Sequence, residues 1–398
     1  MSIDFPRALD EDFDYFASDP PDLIERLHRH REQRPAAWVR GWGEPALLFT
    51  SFELVDAAFR DEETFPSAAF YGTTVTDVLG RNIQCMEGDE HRRNRALVSP
   101  YFRAKNVAEV VPPLLEPVAH ELIDRFEAAG ETDLVASFTK LYPIKIILRL
   151  LGLPLESEDD VARWAMGMMD IQHNFEFAQQ CSKDFRAFVT PVLERRRVAP
   201  EEDLLSQLAT VEIEGERLSN DEIMNFLLLL FPAGADTTFL GLGTTLFALL
   251  THPDQLEFVR GNLDTECRWA AEEAIRWVPP VSMLPRKNPA DVVWRDIPIP
   301  AGANLIFSTL AGNRDPEAYE EPDRFDVRRR PKATLTFGRG PHFCLGAHLA
   351  RSEMEVAVRV LLERLPNLRL ADGADARIQA GIVPVFRGPN RLPVRFDA

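Results

Sequence analysis

The chain has 398 residues, 45% of them hydrophobic and 27% charged. This composition gives ample material for a large core and excludes intrinsic disorder, while 21 glycines without a period exclude collagen-like and repeat architectures. With 45 basic against 63 acidic residues the net charge is −18, which argues against nucleic acid or an anionic membrane as a general partner but leaves room for a local basic face.

The N-terminal MSIDFPRALDEDFDYF is acidic and lacks the basic-then-apolar pattern of a secretory signal. PDLIERLHRH (21–30) has helical spacing. AAWVRGW and PALLFTS read as two strands joined through Gly43 and Glu44, and FELVDAAFRD (52–61) returns to helix. Residues 65–87 read as a long irregular loop, of the kind that lines a site. From His91 to Gly234 helix follows helix, broken by prolines at 112, 113, 117, 143 and 154. The acidic run Glu156, Glu158, Asp159 and Asp160 and the three arginines at 195–197 read as solvated turns.

Residues 219–251 predict a helix long enough to cross a whole domain; their longest apolar run, 226–235, is shorter than the roughly 18 residues of a membrane span. After Pro279, DVVWRDIPIPAGANLIFS alternates like short strands. Helix resumes from about Gly346 to Leu365, and IVPVFRGPNRLPVRF reads as β again. No linker composition divides the chain. The expectation is one domain over 1–398, mainly α with a smaller β-rich part.

The four cysteines, Cys85, Cys181, Cys267 and Cys344, form no CxxC pair, which argues against a disulfide framework or a zinc ribbon. The first three read as buried small hydrophobes. Cys344 differs. It lies in FGRGPHFCLGAHLAR (337–351), where Gly338 and Gly340 flank Arg339 and permit a tight bend with close backbone approach to a planar ligand. It immediately precedes an amphipathic helix, whose unpaired N–H groups and dipole favour thiolate, and Gly346 leaves room for a flat macrocycle. Two other readings stay open on these residues alone. One is a metal site of His342, Cys344 and His348, lacking a fourth ligand; the other is a cysteine nucleophile with a histidine base, lacking an orienting acid.

At this loop the sequence resembles the cytochrome P450 family, whose pattern FGxGxHxCxG is matched by Phe337, Gly338, Gly340, His342, Cys344 and Gly346. The resemblance runs from Asp89 to the C-terminal LPVRF. It implies the P450 fold, with haem b buried between the long central helix and the cysteine loop. Cys344 is then the axial thiolate of the iron, and Phe337, Gly338 and Gly346 border the haem.

Other segments fit the same resemblance. Glu273 and Arg276 in WAAEEAIRWVPP are spaced i,i+3, by itself the signature of a surface pair contributing about 0.2–0.5 kcal/mol. Before this Trp-Val-Pro-Pro turn they look like the family's ExxR motif, a fold-holding pair completed by Arg329 of FDVRRR. His91 and Arg95 share a helical face that would ordinarily be exposed. Within DEHRRNRALVSPYF they resemble a haem-propionate pair, and Arg286 and His342 match further propionate ligands.

In FPAGADTT (231–238), Pro232 loses one ladder hydrogen bond and Gly234 weakens the helix, which reads as a functional distortion with a dioxygen pocket beside the freed carbonyl. The segment resembles the family's AGxDT motif, with Asp236 and Thr237 as the proton-delivering acid–alcohol pair. It departs from the pattern at Pro232, and at Ala235, where many relatives carry a larger polar residue. Phe70, Tyr71, Phe175, Phe177, Leu230, Ala233, Gly234, Met283, Leu284 and Val383 fall where the family contacts substrate, and they imply an apolar ligand.

The resemblance therefore implies a monooxygenase that uses O2 and two electrons to hydroxylate or epoxidise a small-to-medium hydrophobic molecule: a terpenoid, steroid, fatty acid or aromatic. The chain ends where the haem domain ends, so electrons are expected from a separate ferredoxin and ferredoxin reductase drawing on NADH or NADPH. A cytoplasmic monomer is expected. The basic residues Arg92, Arg93, Arg103, Lys105, Arg328, Arg330, Lys332 and Arg339 would surround the cysteine side and receive an acidic carrier. The rival readings are a peroxide-driven peroxygenase and a non-catalytic haem-binding sensor or carrier.

Overall fold

A computed structural model of the chain describes residues 3–6, 8–10, 13–154, 158–213, 215–381 and 384–398; Glu156 and Val383 lie outside the described residues. The architecture is mainly helical, with the strands gathered into small sheets to one side.

At its centre runs the helix Asn220–Thr251, here the long helix. The Ser219 hydroxyl accepts the Glu222 N–H at 3.1 Å while the Glu222 carboxylate accepts the Ser219 N–H at 2.8 Å, a reciprocal cap that fixes where the helix begins. Its apolar residues lie all round rather than in a stripe, as a helix enclosed by others requires. Helices Leu141–Leu151, Glu158–Met169, Leu263–Trp277 and Ala347–Arg364 pack around it. By length and composition the long helix could cross a membrane, although its longest uninterrupted apolar run suggested otherwise; 72% of its most apolar window is buried inside the protein. Nor does Pro232 interrupt it. Helix is continuous from Asn220 to Thr251, because losing a single donor to the Leu228 carbonyl is offset by packing on every side.

Other local expectations are corrected in the same way. Pro112 opens the helix Pro112–Asp124, Pro117 lies inside it, and Pro143 sits in the first turn of Leu141–Leu151, where a missing N–H costs little. Residues 65–87 hold helices Ala68–Thr74 and Thr76–Leu79 and a helical turn Ile83–Cys85 capped by Asn82, so the segment is ordered locally rather than irregular. Of the three arginines at 195–197, two are pinned inward. Arg196 is buried against Asp203 at 2.6 Å, and Arg197 donates to the carbonyls of Ala209 and Leu218.

Strands Ala36–Gly41 and Glu44–Phe49 pair antiparallel through the two-residue turn Trp42–Gly43, not through Gly43 and Glu44; both turn residues have positive φ, as a primed hairpin turn demands. Strand Asn304–Phe307 joins this hairpin in parallel and Leu284–Lys287 closes the edge antiparallel. Alternation along that last strand puts Leu284 and Arg286 on one face, with Arg286 buried and Lys287 exposed.

Candidate active site

The cysteine loop is fastened from below. Glu273 and Arg276 are fully buried, joined by two hydrogen bonds of 2.7 and 2.8 Å. The other Arg276 donors go to the carbonyls of Asn313, Pro322 and Arg324, so all five N–H groups are used. Arg329 Nε reaches Glu273 at 3.0 Å, which assembles the three residues singled out from the sequence. Asn313 passes the restraint upward. Its side chain accepts the Leu335 N–H at 2.7 Å and donates to Thr336 Oγ1 at 2.9 Å, and Thr336 bonds the Ile275 carbonyl of the same helix as Glu273.

From there the chain turns over Gly338 (φ +66°) and Gly340 (φ +67°). A Cβ on Gly340 would lie 2.5 Å from the Phe59 carbonyl oxygen, so this glycine serves close approach to helix Phe52–Arg60. Gly338 and Gly346, by contrast, face open space, a cradle that any Cβ would begin to fill. The Cys344 N–H donates to the Phe337 carbonyl at 2.9 Å, and Arg351 lies over the Phe337 ring at 4.3 Å. The following helix starts at Ala347 with Gly346 as its cap, so it is the Gly346 N–H, not the helix body, that meets the Cys344 sulfur. Burial pushes the Cys344 thiol up; the Gly346 N–H and the guanidinium groups of Arg95 and Arg351 oppose it. Cys85, Cys181 and Cys267 are buried, as expected.

Above this loop converge the cationic residues. His91 and Arg95 lie one turn apart on helix Gly88–Phe102, and His91 is buried rather than exposed. Arg95 reaches the Phe343 carbonyl beside the cysteine. His91 and His342 face each other with ring centres 4.2 Å apart, and His342 Nε2 is 2.8 Å from Glu62. Burial, with His91, Arg286 and Arg95 nearby, lowers the His342 pKa to about 3. Among the described residues the buried His91 Nε2 has no partner. One buried guanidinium (Arg286), one half-buried (Arg95), an unpartnered imidazole nitrogen and an open glycine cradle suit a flat group bearing two carboxylates. The alternative metal set does not assemble. Among the described residues His342 gathers with Glu62 and His91, not with Cys344 and His348.

On the long helix Ala233 and Thr237 lie one turn apart, Ala233 exposed and Thr237 half-exposed among buried neighbours. Thr237 Oγ1 donates to the Ala233 carbonyl at 2.6 Å. Asp236 is buried, and burial raises its pKa to about 7 against the opposing charge of Lys140. A Cβ on Gly234 would lie 2.8 Å from Ile147 Cδ1, so packing of the long helix on Leu141–Leu151 accounts for a glycine here.

The remaining pocket assignments divide. Leu230 and Leu284 are half-buried, and Met283 is buried in the core beneath the hairpin. Phe175 and Phe177 are exposed at the start of helix Phe175–Val198. Phe70 packs on Trp42 at 5.4 Å, and the Tyr71 ring centre lies 5.8 Å from the Arg286 guanidinium carbon. Two residues went unflagged in the sequence. Glu62 has no motif around it. Glu353 is buried on the final helix, its Oε2 without a partner among the described residues and its pKa pushed well up by burial; its place one turn from Leu349 and Ala357, on an apolar face, is the available signal.

A cysteine loop cradled by glycine beside converging cations, with a buried acid next to a threonine on the long helix, defines the class of oxygenases that hold haem through a thiolate. The chain belongs to the cytochrome P450 family: that family's model matches residues 161–368. 6-Deoxyerythronolide B hydroxylase from Saccharopolyspora erythraea is 34% identical, spanning 92% of this chain and 94% of that protein. Mycinamicin IV hydroxylase/epoxidase from Micromonospora griseorubida is 35% identical over 94% of this chain and 95% of its own length. Among solved structures, cytochrome P450 CYP109Q5 from Chondromyces apiculatus superposes with a TM-score of 0.88 at 28% identity, covering 97% of this chain and 98% of that one. The protein is thus a P450 monooxygenase with haem b and an axial cysteine thiolate, taking a substrate, O2 and a redox partner.

Proposed function

We propose that Cys344 is the axial ligand, that His91, Arg95, Arg286 and His342 hold the haem carboxylates, and that Phe337, Gly338 and Gly346 border the ring. Haem, when bound, supplies the activation of O2 with two electrons, one oxygen atom entering the substrate and the other leaving as water. The chain's part is proton and water control. Asp236 holds a proton at its carboxyl near neutral pH, Thr237 keeps its hydroxyl oriented by the Ala233 carbonyl, and Glu353 stores a further proton behind the long helix. Glu273, Arg276 and Arg329 hold the loop and take no chemical part.

The substrate is hydrophobic, met by Ala233, Leu230, Leu284, Phe70 and the ring of Tyr71, with Phe175 and Phe177 at the entrance. The names of the relatives add macrolides to the terpenoid, steroid, fatty-acid and aromatic classes. The single domain works as a cytoplasmic monomer that accepts electrons from a ferredoxin. The observation that carries this reading is the convergence of Arg95, Arg286 and the unpartnered His91 nitrogen on the face of the Cys344 loop. Difference absorbance with representatives of the five classes tests it. A saturable high-spin shift with one class supports the reading; no shift with any class overturns the substrate assignment.

A further inference from the structure

We propose that Glu62, His91 and His342 form a zinc-binding site in the haem-free chain, and that zinc and haem exclude each other there. The exclusion rests on the assignment of His91 and His342 to the haem carboxylates; the site itself does not.

Three segments far apart in the chain bring the ligands together. Glu62 lies in the turn after helix Phe52–Arg60, His91 on helix Gly88–Phe102 and His342 in the turn Gly340–His342 that leads to the cysteine. One ligating atom from each residue lies within 4.8 Å of the other two. His342 Nε2 and Glu62 Oε1 are 2.8 Å apart, and the two imidazole rings face each other with centres 4.2 Å apart. Ligand atoms of one tetrahedral zinc, each about 2.0–2.2 Å from the metal, stand roughly 3.3–3.6 Å from one another. Small side-chain rotations that close the wider pairs and open the Glu62–His342 contact meet that spacing.

The donor set selects the ion. Two imidazole nitrogens and one carboxylate oxygen suit zinc better than magnesium or calcium, which take oxygen, and a set of three leaves the fourth position to water. His91 is 2% exposed, and among the described residues its Nε2 meets no partner, a buried polar atom left without compensation. Burial also favours the neutral form of both rings, the form in which an imidazole ligates. Arg95 and Arg286 stand close enough to oppose a cation, which makes the anionic ligand Glu62 indispensable.

A haem carboxylate bound to His91 and His342 occupies the nitrogens that the metal uses. Zinc on the haem-free chain therefore lowers the apparent haem affinity by one plus the ratio of free zinc to its Kd, about a hundredfold when that ratio is one hundred.

The test uses the full chain with its haem extracted. Far-ultraviolet circular dichroism checks the fold, as does return of the thiolate spectrum of the reduced carbon-monoxide complex when haem is added back. Zinc chloride is titrated calorimetrically into this form and into the haem-loaded protein, and haem is titrated into the haem-free form with and without zinc. A single equivalent of zinc is expected to bind the haem-free form and none the loaded one, and haem binding should weaken as zinc rises. Glu62→Gln keeps the shape of the side chain and removes its charge. It should lower zinc affinity at least about tenfold and leave haem binding in the absence of zinc unchanged. Absence of zinc binding, or equal affinity in wild type and Glu62→Gln, overturns the site. Cobalt(II) in place of zinc reports the ligands, and a thiolate charge-transfer band would put the metal on Cys344 and overturn it as well. Equal zinc binding by the haem-loaded protein overturns the exclusion. His91→Ala separates the two claims: it should weaken both zinc and haem binding. Weaker haem binding with zinc affinity unchanged overturns the site and keeps the haem assignment. Weaker zinc binding with haem affinity unchanged removes His91 from the haem carboxylates and overturns the exclusion.

Discussion

The hydroxyl of Thr237 donates to the carbonyl oxygen of Ala233, 2.6 Å away and one turn earlier on the long helix. The bond fixes the rotamer and spends the hydroxyl proton on the backbone, so the oxygen lone pairs are what the Thr237 side chain presents to the pocket. Thr237→Ala is expected to keep haem and substrate binding but to release hydrogen peroxide instead of product, lowering product per NADH about tenfold or more. Thr237→Ser retains the oxygen and should recover most of the coupling. Measuring NADH consumed, peroxide and product side by side decides it; unchanged coupling in the alanine variant removes Thr237 from proton handling.

Glu273 sits at zero exposure between two guanidinium groups. Replacing it by alanine leaves both without their counter-charge, a change that costs about 3–5 kcal/mol when a buried pair is broken from one side. Glu273→Ala should therefore fail to accumulate as a folded, haem-loaded protein. Soluble protein with a normal thiolate spectrum would show that the clasp is dispensable.

What the sequence disclosed follows from where the chemistry lies along the chain. The cysteine loop was legible because its fixed residues fall within ten positions, and the ExxR pair because its members share one helix. The clasp partner Arg329 is 53 residues beyond Arg276 and was reached by resemblance alone. Tyr71 and Arg286 are farther apart still, and nothing local distinguishes a tyrosine ring packed on arginine from one that touches substrate. Glu62 meets His342 across 280 positions. The misreadings have a common cause too. At Pro232, the inner prolines and the arginines at 195–197 local propensity points one way, and tertiary packing overrides it. A helix enclosed on all sides tolerates one lost donor, and a buried Asp203 turns Arg196 inward.

Cys344→Ala should abolish the thiolate spectrum of the reduced carbon-monoxide complex, because the other three cysteines are buried in the core. Persistence of that spectrum in the variant would assign the ligand elsewhere.

Burial raises Asp236 from the ordinary 3.8 to about 7. Within that interval the folded protein keeps a proton that the unfolded chain gives up, so this group lowers stability as pH rises through the window. Asp236→Asn removes the dependence. Between pH 5 and pH 8 the wild type should lose more stability than the variant in denaturant unfolding, while turnover of the variant falls about a hundredfold. Parallel stability curves would mean that Asp236 titrates normally.

The redox partner is the remaining expectation, and the structure narrows it. Of eight basic residues placed around the cysteine side, most are neutralised within the protein. Arg92 pairs with Asp89, Arg93 with Glu216 and Glu222, Lys105 with Glu109, Arg330 with Glu266 and Arg339 with Asp56. Arg328 lies over the Phe258 ring at 3.8 Å. Among the described residues Arg103, Lys332 and Arg328, which keeps its charge over the ring, are exposed with no carboxylate in ion-pair range, which leaves them as the charges an acidic carrier would meet. On a protein of net charge −18 such a small positive face supplies steering rather than affinity, and steering is screened over roughly 8–10 Å at physiological salt. Ferredoxin-dependent reduction should slow as salt rises. Arg103→Glu or Lys332→Glu should slow it several-fold at low salt without altering substrate affinity, and the difference from wild type should shrink as salt screens the charge. Stopped-flow reduction across a salt series with all three proteins makes the comparison. A salt-independent rate, equal in the variants, places the carrier elsewhere or on apolar contacts.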